Sequence, residues 1–331
     1  MLLRFLSLAA LAAFGLAACA SGIGIEPTSP ATTTLEPTRP VVTNKSPDPA
    51  QTAPLQTLPP GAAVCDGYAD VATDGALNNA ELNEISGVTA SRRFEDVLWM
   101  HNDSRGGANI YAVSTDGTLR ATWQIDVATA FDWEDMSSGP GPEPGTNYLY
   151  VGDIGDNFAL RSEIVVYRFP EPDASRDGVV RDIEVFRLSY PEPGADAEAL
   201  AVDPVSGDLI VITKDREGPE IVYRAPGSEL RDGLVTRLEP VATIHLGGNA
   251  EVTAADFSPQ GERVAFRGYS QIWMWPRLGK DLTSTFAEEP CRARSPKEKQ
   301  GEALGFDLTG VHLFTISEGT GAAINRIGIN P

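Results

Sequence analysis

DAEALAVDPVSGDLIVITKD, residues 196–215, has the pattern of a buried β-hairpin: an apolar run, a Pro/Ser/Gly turn and a second apolar run. Asp196 and Glu198 stand where the first strand begins. Lys214 and Asp215 stand where the second strand ends. In an antiparallel pair, the start of the first strand lies beside the end of the second strand. These four residues are therefore expected at the same end of the hairpin. One end of an apolar hairpin therefore collects charged side chains.

The same hairpin recurs along the chain at intervals of 50 to 64 residues. Each copy has a glutamate, a short strand, a turn and a second apolar strand that ends in polar residues. The aligned glutamates are Glu84, Glu134, Glu198, Glu251 and Glu302. Further β-branched runs follow most of the hairpins, so a repeat holds about four strands. A period near 50 residues with several short strands is typical of a β-propeller.

The two ends of the repeat region predict how the ring closes. Part of a repeat follows Glu302, and residues 64–83 precede the first hairpin. Together they make up one repeat, which predicts that an N-terminal strand completes the last blade and leaves no open edge. The prediction is an all-β propeller with five blades. Six blades is the alternative, because the interval from Glu134 to Glu198 has room for extra strands, although a loop insertion at residues 140–145 accounts for it more simply.

The N-terminal region predicts export and a lipid anchor. Residues 1–18 have an early arginine, an apolar run and small residues before Cys19, as a secretory signal peptide does. The stretch LAAC at 16–19 resembles the bacterial lipoprotein box, which implies that Cys19 is lipidated by acyl chains such as palmitate. The alternative is an ordinary secretory signal with an incidental cysteine. Residues 19–62 are rich in Pro and Thr and are expected to form a disordered tether. Residues 63–331 form the propeller domain.

Such an anchor holds the protein on the extracytoplasmic face of a cell membrane. The formal net charge of −20 argues against nucleic acid or an anionic bilayer surface as a partner, and a monomer is expected. Cys65 and Cys291 are the other two cysteines, and in an exported chain they favour a disulfide over a metal site. The three histidines lack the spacing of the familiar zinc enzymes.

The charged ends of the hairpins predict a site on the propeller axis. The first strand of each blade lines the central channel, so the aligned glutamates are expected to form a ring. Carboxylates so close together either raise their pKa values or hold a cation, and Ca²⁺ accepts roughly six to eight oxygen ligands. The predicted calcium ligands are Glu84, Glu134, Glu198, Glu251, Glu302, Asp103, Asp153 and Asp156. The alternative is a structural ring, in which the glutamates accept backbone N–H groups and pair with nearby Arg and Lys residues.

Two resemblances bear on function. AEALAVDPVSGDLIVITKD resembles the blade unit of bacterial phytase-like propeller proteins, which are secreted or lipid-anchored. DWEDM at 132–136 and NYLYVGDIGDN at 147–157 resemble, more weakly, the second blade of the calcium-dependent nucleotidases of the apyrase type. Those enzymes have five blades around a central Ca²⁺, which implies that Glu134 belongs to a calcium shell.

The sequence favours a lipid-anchored propeller that presents an acidic, calcium-binding pore face to a ligand or protein partner. The alternative is a calcium-dependent phosphohydrolase, in which the metal polarises a phosphoryl oxygen. The cations expected to hold its phosphates are Arg105, Arg161, Lys214 and Arg267. A third hypothesis is a glycoside hydrolase with two carboxylates across the pore mouth. The fold alone does not decide among these, and the sequence has no nucleophile elbow, so enzymatic activity stays an open question.

Overall fold

The computed structural model describes residues 64–103, 107–126, 129–192, 194–216, 218–247 and 250–328. The predicted signal peptide, Cys19 and the tether lie outside the described residues, and so does Arg105. Within the described ranges, no helix is long and apolar enough to cross a membrane.

Runs of β-branched and aromatic residues, separated by turns rich in Gly, Pro and Asp, form strands throughout the described part of the chain. The strands and the single α-helix assigned there have these bounds: β1 (Asp70–Ala76), β2 (Ile85–Ala90), β3 (Val97–Asn102), β4 (Asn109–Ser114), β5 (Leu119–Ile125), β6 (Trp133–Pro140), β7 (Asn147–Asp153), β8 (Ile164–Pro170), β9 (Gly178–Val180), β10 (Glu184–Ser189), β11 (Ala197–Val202), β12 (Leu209–Thr213), β13 (Glu220–Ala225), β14 (Val235–Arg237), β15 (Glu239–Ile244), β16 (Val252–Phe257), β17 (Arg263–Gly268), β18 (Ile272–Pro276), α1 (Leu282–Phe286), β19 (Cys291–Ala293), β20 (Gly301–Phe306), β21 (His312–Ser317) and β22 (Ala323–Gly328).

These strands form five sheets, which are the blades of a propeller. Their main antiparallel strands, from the channel outward, are β2-β3-β4-β5, β6-β7-β8-β10, β11-β12-β13-β15, β16-β17-β18-β19 and β20-β21-β22-β1. The first strands contact one another in the ring order β2, β6, β11, β16, β20 and back to β2. The predicted five-bladed β-propeller is therefore confirmed.

Two short strands extend the outer edges of blades 1 and 2. Strand β9 pairs in parallel with β5 of blade 1, and β14 pairs in parallel with β10 of blade 2. Strand β9 comes from the long interval between Glu134 and Glu198. The extra residues of that interval thus lengthen an existing blade edge and do not build a sixth blade.

The ring closes as predicted, through an N-terminal strand. Strand β1 pairs antiparallel with β22, with Asp70 opposite Gly328 and Ala76 opposite Ala323. The predicted disulfide is present as well: Cys65 and Cys291 are bonded, with their Cα atoms 5.8 Å apart. Cys65 lies in a 3₁₀ turn just before the closing strand, and Cys291 lies in the outer strand of blade 4. The bridge therefore fixes the beginning of the domain to blade 4 beside the point of closure.

The inner strands are buried on both faces because each blade is covered by its two neighbours. Every residue of β11 and β12 is buried, which explains why both strands are almost continuously apolar. Farther from the channel burial alternates, as in β8, where one face of the sheet approaches solvent. The rigid inner strands hold the channel-lining residues in fixed positions.

Candidate functional site

The face at which the first strands begin and the second strands end is called here the mouth. At the mouth, a β-bulge recurs in the first strand of every blade, because the register against the second strand shifts there. In blade 3, for example, the shift falls between Ala197 and Ala199 and leaves Glu198 out of the ladder. The corresponding residues in chain order are Ser86, Glu134, Glu198, Thr253 and Glu302, and they are between 1 and 7 % exposed. In blade 2 the shift also takes in Asp135, because it falls between Trp133 and Met136.

Two of the five aligned glutamates, Glu84 and Glu251, lie two residues before the bulge of their blade, so the predicted equivalence is wrong for them. A shift of two residues keeps a side chain on the same face of a strand. The comparison of the internal repeats therefore did not reveal that these two glutamates lie outside the bulge. Glu251 forms an ion pair with Arg216, with 3.4 Å between Oε1 and Nε. Glu84 lies near Glu318 and helps to raise its pKa.

Three carboxyl groups meet at the mouth between blades 1 and 2. Asp103, Asp132 and Glu134 each place one oxygen so that the three oxygens lie within 4.8 Å of one another. Asp103 follows β3, Asp132 precedes β6, and Glu134 lies in the bulge of β6 between Trp133 and Met136. Asp103 and Glu134 belong to the predicted calcium set, whereas Asp132 was missed. The acidic stretch DWED at 132–135 was the sequence feature that distinguished this blade.

Gly155 keeps the space beside this cluster open. A Cβ atom at this position would lie 2.3 Å from Oε1 of Glu134 and 2.5 Å from Oδ2 of Asp132. The backbone N–H of Gly155 donates to the carbonyl of Asp132 at 3.2 Å, which fixes this approach. Any side chain larger than hydrogen would therefore occupy the volume in front of the carboxylates.

Lys214 supplies positive charge to the same mouth. Its ammonium group donates to the carboxylate of Glu198 and, at 2.7 Å, to the hydroxyl of Tyr269. Both Lys214 and Glu198 are buried. The ammonium also offsets part of the rise that burial causes in the pKa values of Glu134 and Glu302. One lysine thus compensates several acids, and it is already engaged by Glu198.

Two buried glutamates of the mouth resist ionisation. Burial raises the pKa of Glu134 well above its ordinary value, and the neighbouring carboxylates of Glu198, Asp103 and Asp132 raise it further. Burial likewise raises the pKa of Glu302 to about 7. Buried carboxylates in this number need either protons or additional positive charge. The mouth therefore has the electrostatic character of a cation site.

Three other predicted site residues support the loop that carries Gly155. Asp153 accepts the N–H of Phe131 at 3.1 Å and forms an ion pair with Arg161 at 2.8 Å. Asp156 accepts the N–H of Arg161 at 2.5 Å, and the guanidinium of Arg161 donates to the carbonyl of Gly155 at 2.9 Å. The contacts of Asp153, Asp156 and Arg161 therefore hold Gly155 beside the acidic cluster.

Arg267, a predicted phosphate-binding residue, lies in the interface between blades 4 and 5. It is 0 % exposed, donates to the carbonyl of Ala303 at 3.0 Å and forms an ion pair with Glu298. Because the guanidinium does not face solvent at the mouth, the predicted ligand-binding role of Arg267 is corrected to a structural one.

Asp135, which sequence reasoning missed, joins three blades. It is completely buried, and its carboxylate accepts the backbone N–H groups of Met136 at 2.8 Å, Leu200 at 3.0 Å and Ala255 at 3.1 Å. These residues belong to β6, β11 and β16. The doubled acid Glu134-Asp135, where the other repeats have one acid, was the available sequence indication.

We expect the chelator-treated protein to lose stability as the pH rises from about 5 to about 8. The pKa of Glu302 is about 7 in the native state, above its ordinary value of 4.5, so the native state favours the protonated form. The resulting stabilisation is complete below about pH 4.5 and is lost as the pH rises through about 7. Melting temperatures measured across this range test the trend.

The variant Glu302→Gln carries no charge at any pH and should flatten part of this slope. The exposed acid Glu143 provides the matched control, because Glu143→Gln should leave the slope unchanged. A melting temperature that increases with pH, or an identical slope in the wild type and Glu302→Gln, contradicts the expectation.

Comparison with known proteins adds no identification: no protein-family model and no curated protein matches the chain.

Proposed function

We propose that the protein is a lipid-anchored, extracytoplasmic β-propeller whose mouth binds Ca²⁺ and serves as the binding face for a ligand or a protein partner. The observation that carries the proposal is the meeting of Asp103, Asp132 and Glu134, with three carboxyl oxygens within 4.8 Å of one another. Oxygen ligands of this kind are those that Ca²⁺ prefers. The anchor rests on the lipoprotein-like sequence that ends at Cys19.

The origin of the ligands favours Ca²⁺ over Mg²⁺. The three carboxyls come from two blades and from both strand and loop positions, which gives an irregular arrangement. Ca²⁺ accepts irregular shells at about 2.3–2.6 Å, whereas Mg²⁺ demands a near-octahedral shell at about 2.0–2.1 Å and retains its waters. Asp103 and Asp132 are partly exposed, so a cation reaches the cluster from solvent.

We expect Ca²⁺ to raise the melting temperature of the chelator-treated protein, and Mg²⁺ to raise it less. A ligand that binds only the native state stabilises it by about 2.7 kcal/mol at a hundredfold excess over the Kd. The variant Glu134→Gln should weaken this response because it removes one ligand charge. Gly155→Ala should abolish the response because its Cβ fills the space beside Glu134 and Asp132.

Glu251→Gln is the matched control, since Glu251 is an aligned glutamate that lies in an ion pair with Arg216. Its response to Ca²⁺ should equal that of the wild type. Melting curves that are indifferent to both Ca²⁺ and chelator, for protein shown beforehand to be metal-free, would rule out the calcium site.

A calcium-dependent phosphohydrolase is the second candidate. Two cations near the carboxylate cluster favour it, since cationic groups bind phosphate. Lys214 donates to Glu198 at the mouth, and Arg161 donates to the carbonyl of Gly155, which lies beside the cluster. A screen of nucleoside diphosphates, nucleoside triphosphates and phytate tests this candidate. Phosphate release that requires Ca²⁺ and is lost in Glu134→Gln supports it, and no release from any of them rejects it.

A further inference from the structure

A groove of about 850 Å³ lies at the mouth between blades 2 and 3. Its lining comes from three segments: the loop between β7 and β8, the residues just before β11, and the chain from the end of β12 to the start of β13. Small-molecule sites in proteins have volumes of about 300–1,000 Å³, so the groove has the size of a binding cleft. Asp103, Asp132 and Glu134 are not among the described residues that line it. The groove is therefore distinct from the carboxylate cluster.

The cations of the groove already have carboxylate partners. The described lining contains two cations and two acids: Lys214, Arg216, Asp196 and Asp215. The ammonium of Lys214 is bonded to Glu198, and Nε of Arg216 lies 3.4 Å from Oε1 of Glu251. An anionic ligand in the groove would therefore have to compete with two carboxylates of the protein itself.

The acids of the groove are likewise stabilised by the protein. Oδ1 of Asp196 accepts the backbone N–H of Asp156 at 3.1 Å, and Oδ1 of Asp215 accepts that of Gly218 at 2.8 Å. Hydrogen bonds from N–H groups stabilise a carboxylate without a counter-ion. A carboxylate has about four lone-pair sites, so one such bond does not exhaust either acid. The groove therefore presents hydrogen-bond donors and acceptors and requires no ligand charge of either sign.

An exposed aromatic ring lies among these polar groups. Phe158 lines the groove together with Pro219 and Ile221, and it is 82 % exposed. The backbone next to it is constrained, because Ala159 has a φ of 50°, in the left-handed region that non-glycine residues rarely adopt. The N–H of Ala159 donates to the carbonyl of Asp156 at 2.7 Å. An aromatic ring beside a few polar groups is the composition typical of small-molecule sites.

A sugar matches both parts of this lining. A hydroxyl group donates one hydrogen bond and accepts up to two, so the hydroxyls of one ring donate to carboxylates and accept from cations. The C–H groups on one face of a sugar ring form an apolar surface that packs on an aromatic ring. We propose that the groove binds a neutral oligosaccharide, with one sugar ring packed on Phe158 and its hydroxyls bonded to Asp196, Asp215 and Arg216. This inference rests on the proposed role of the mouth as a binding face and names the ligand class.

A glycan array probed with the fluorescently labelled full chain tests the ligand class. The array carries neutral oligosaccharides together with the sulfated and the amino derivatives of the same backbones. We expect binding to neutral members, and binding weaker by about tenfold or more to their sulfated derivatives, because a sulfate competes with Glu198 and Glu251 for the cations. Binding confined to sulfated or to amino derivatives, or binding to none of the glycans, overturns the proposal.

Two variants test the position of the site. Phe158→Ser should weaken binding of the tightest neutral glycan by about tenfold or more with an unchanged melting temperature, because the ring is exposed in the free protein. Arg216→Met should also weaken it, since it removes hydrogen-bond donors from a side chain that is 72 % exposed. Leu160→Ser is the matched control, because Leu160 is as exposed as Phe158, belongs to the same loop and is not among the described residues that line the groove. Its binding should equal that of the wild type, and equal binding by Phe158→Ser contradicts the proposal.

Measurements with and without Ca²⁺ distinguish this inference from the calcium proposal. Glycan binding by a protein whose melting temperature does not respond to Ca²⁺ rejects only the calcium site. A calcium response in a protein that binds no glycan rejects only the oligosaccharide site.

Discussion

Replacing Glu298 by alanine is expected to lower the free energy of unfolding by about 3–5 kcal/mol, because it leaves a buried charge without its partner. The guanidinium of Arg267 is 0 % exposed and forms an ion pair with Glu298. Burial lowers the pKa of Arg267 to about 9, so it remains charged at neutral pH. The carboxylate of Glu298 also accepts bonds from the Thr315 hydroxyl at 3.0 Å and the Asn325 amide at 2.7 Å. Urea unfolding measures the loss.

The matched control is Glu289→Ala, an exposed acid in the same region of the chain, which should change stability by less than about 0.5 kcal/mol. The double variant Arg267→Met/Glu298→Met should be more stable than Glu298→Ala, because it removes both charges together. A Glu298→Ala protein that unfolds at the same urea concentration as the wild type contradicts this account of the interface between blades 4 and 5.

Replacing Asp135 by alanine is expected to cost about 3 kcal/mol or more, because it leaves three buried N–H groups without an acceptor. Those groups belong to Met136, Leu200 and Ala255, on the channel strands of blades 2, 3 and 4. Urea unfolding gives the magnitude. Hydrogen exchange should show faster exchange at Leu200 and Ala255 in particular, since their amides lose this acceptor.

Asp177→Ala provides the comparison for Asp135→Ala. Asp177 accepts one N–H group, that of Thr122, at an exposed position, so its removal should cost less than about 1 kcal/mol. An equal loss of unfolding free energy in the two variants would show that the bonds of Asp135 to neighbouring blades do not stabilise the ring.

The fold followed from the sequence because its determinants repeat. Each blade needs a buried hairpin that begins and ends at the same face, and five copies at similar spacing specify the ring. The incomplete last repeat and the preceding segment predicted the closure by β1, and the two cysteines of the domain predicted their disulfide. These features depend on spacing and residue type, which the sequence contains.

The register of the first strands at the mouth could not be predicted from the sequence, because the position of a β-bulge depends on tertiary contacts. Positions 251 and 253 are two residues apart and lie on the same face of the strand. The sequence pattern therefore does not show which of the two lies at the bulge. Asp132 joins the cluster from a loop, where periodicity gives no information. Two partners of Asp135, Leu200 and Ala255, lie in other blades, and Glu298 lies 31 residues after Arg267. No local sequence pattern identifies such distant partners.

Calorimetric titration of the chelator-treated protein with Ca²⁺ measures occupancy of the mouth independently of stability and activity. We expect one Ca²⁺ per chain in the wild type and in Glu251→Gln. We expect no saturable binding in Asp132→Asn/Glu134→Gln, which removes two charges of the carboxylate cluster. No binding to the wild type, or undiminished binding to Asp132→Asn/Glu134→Gln, would show that the mouth is not a calcium site.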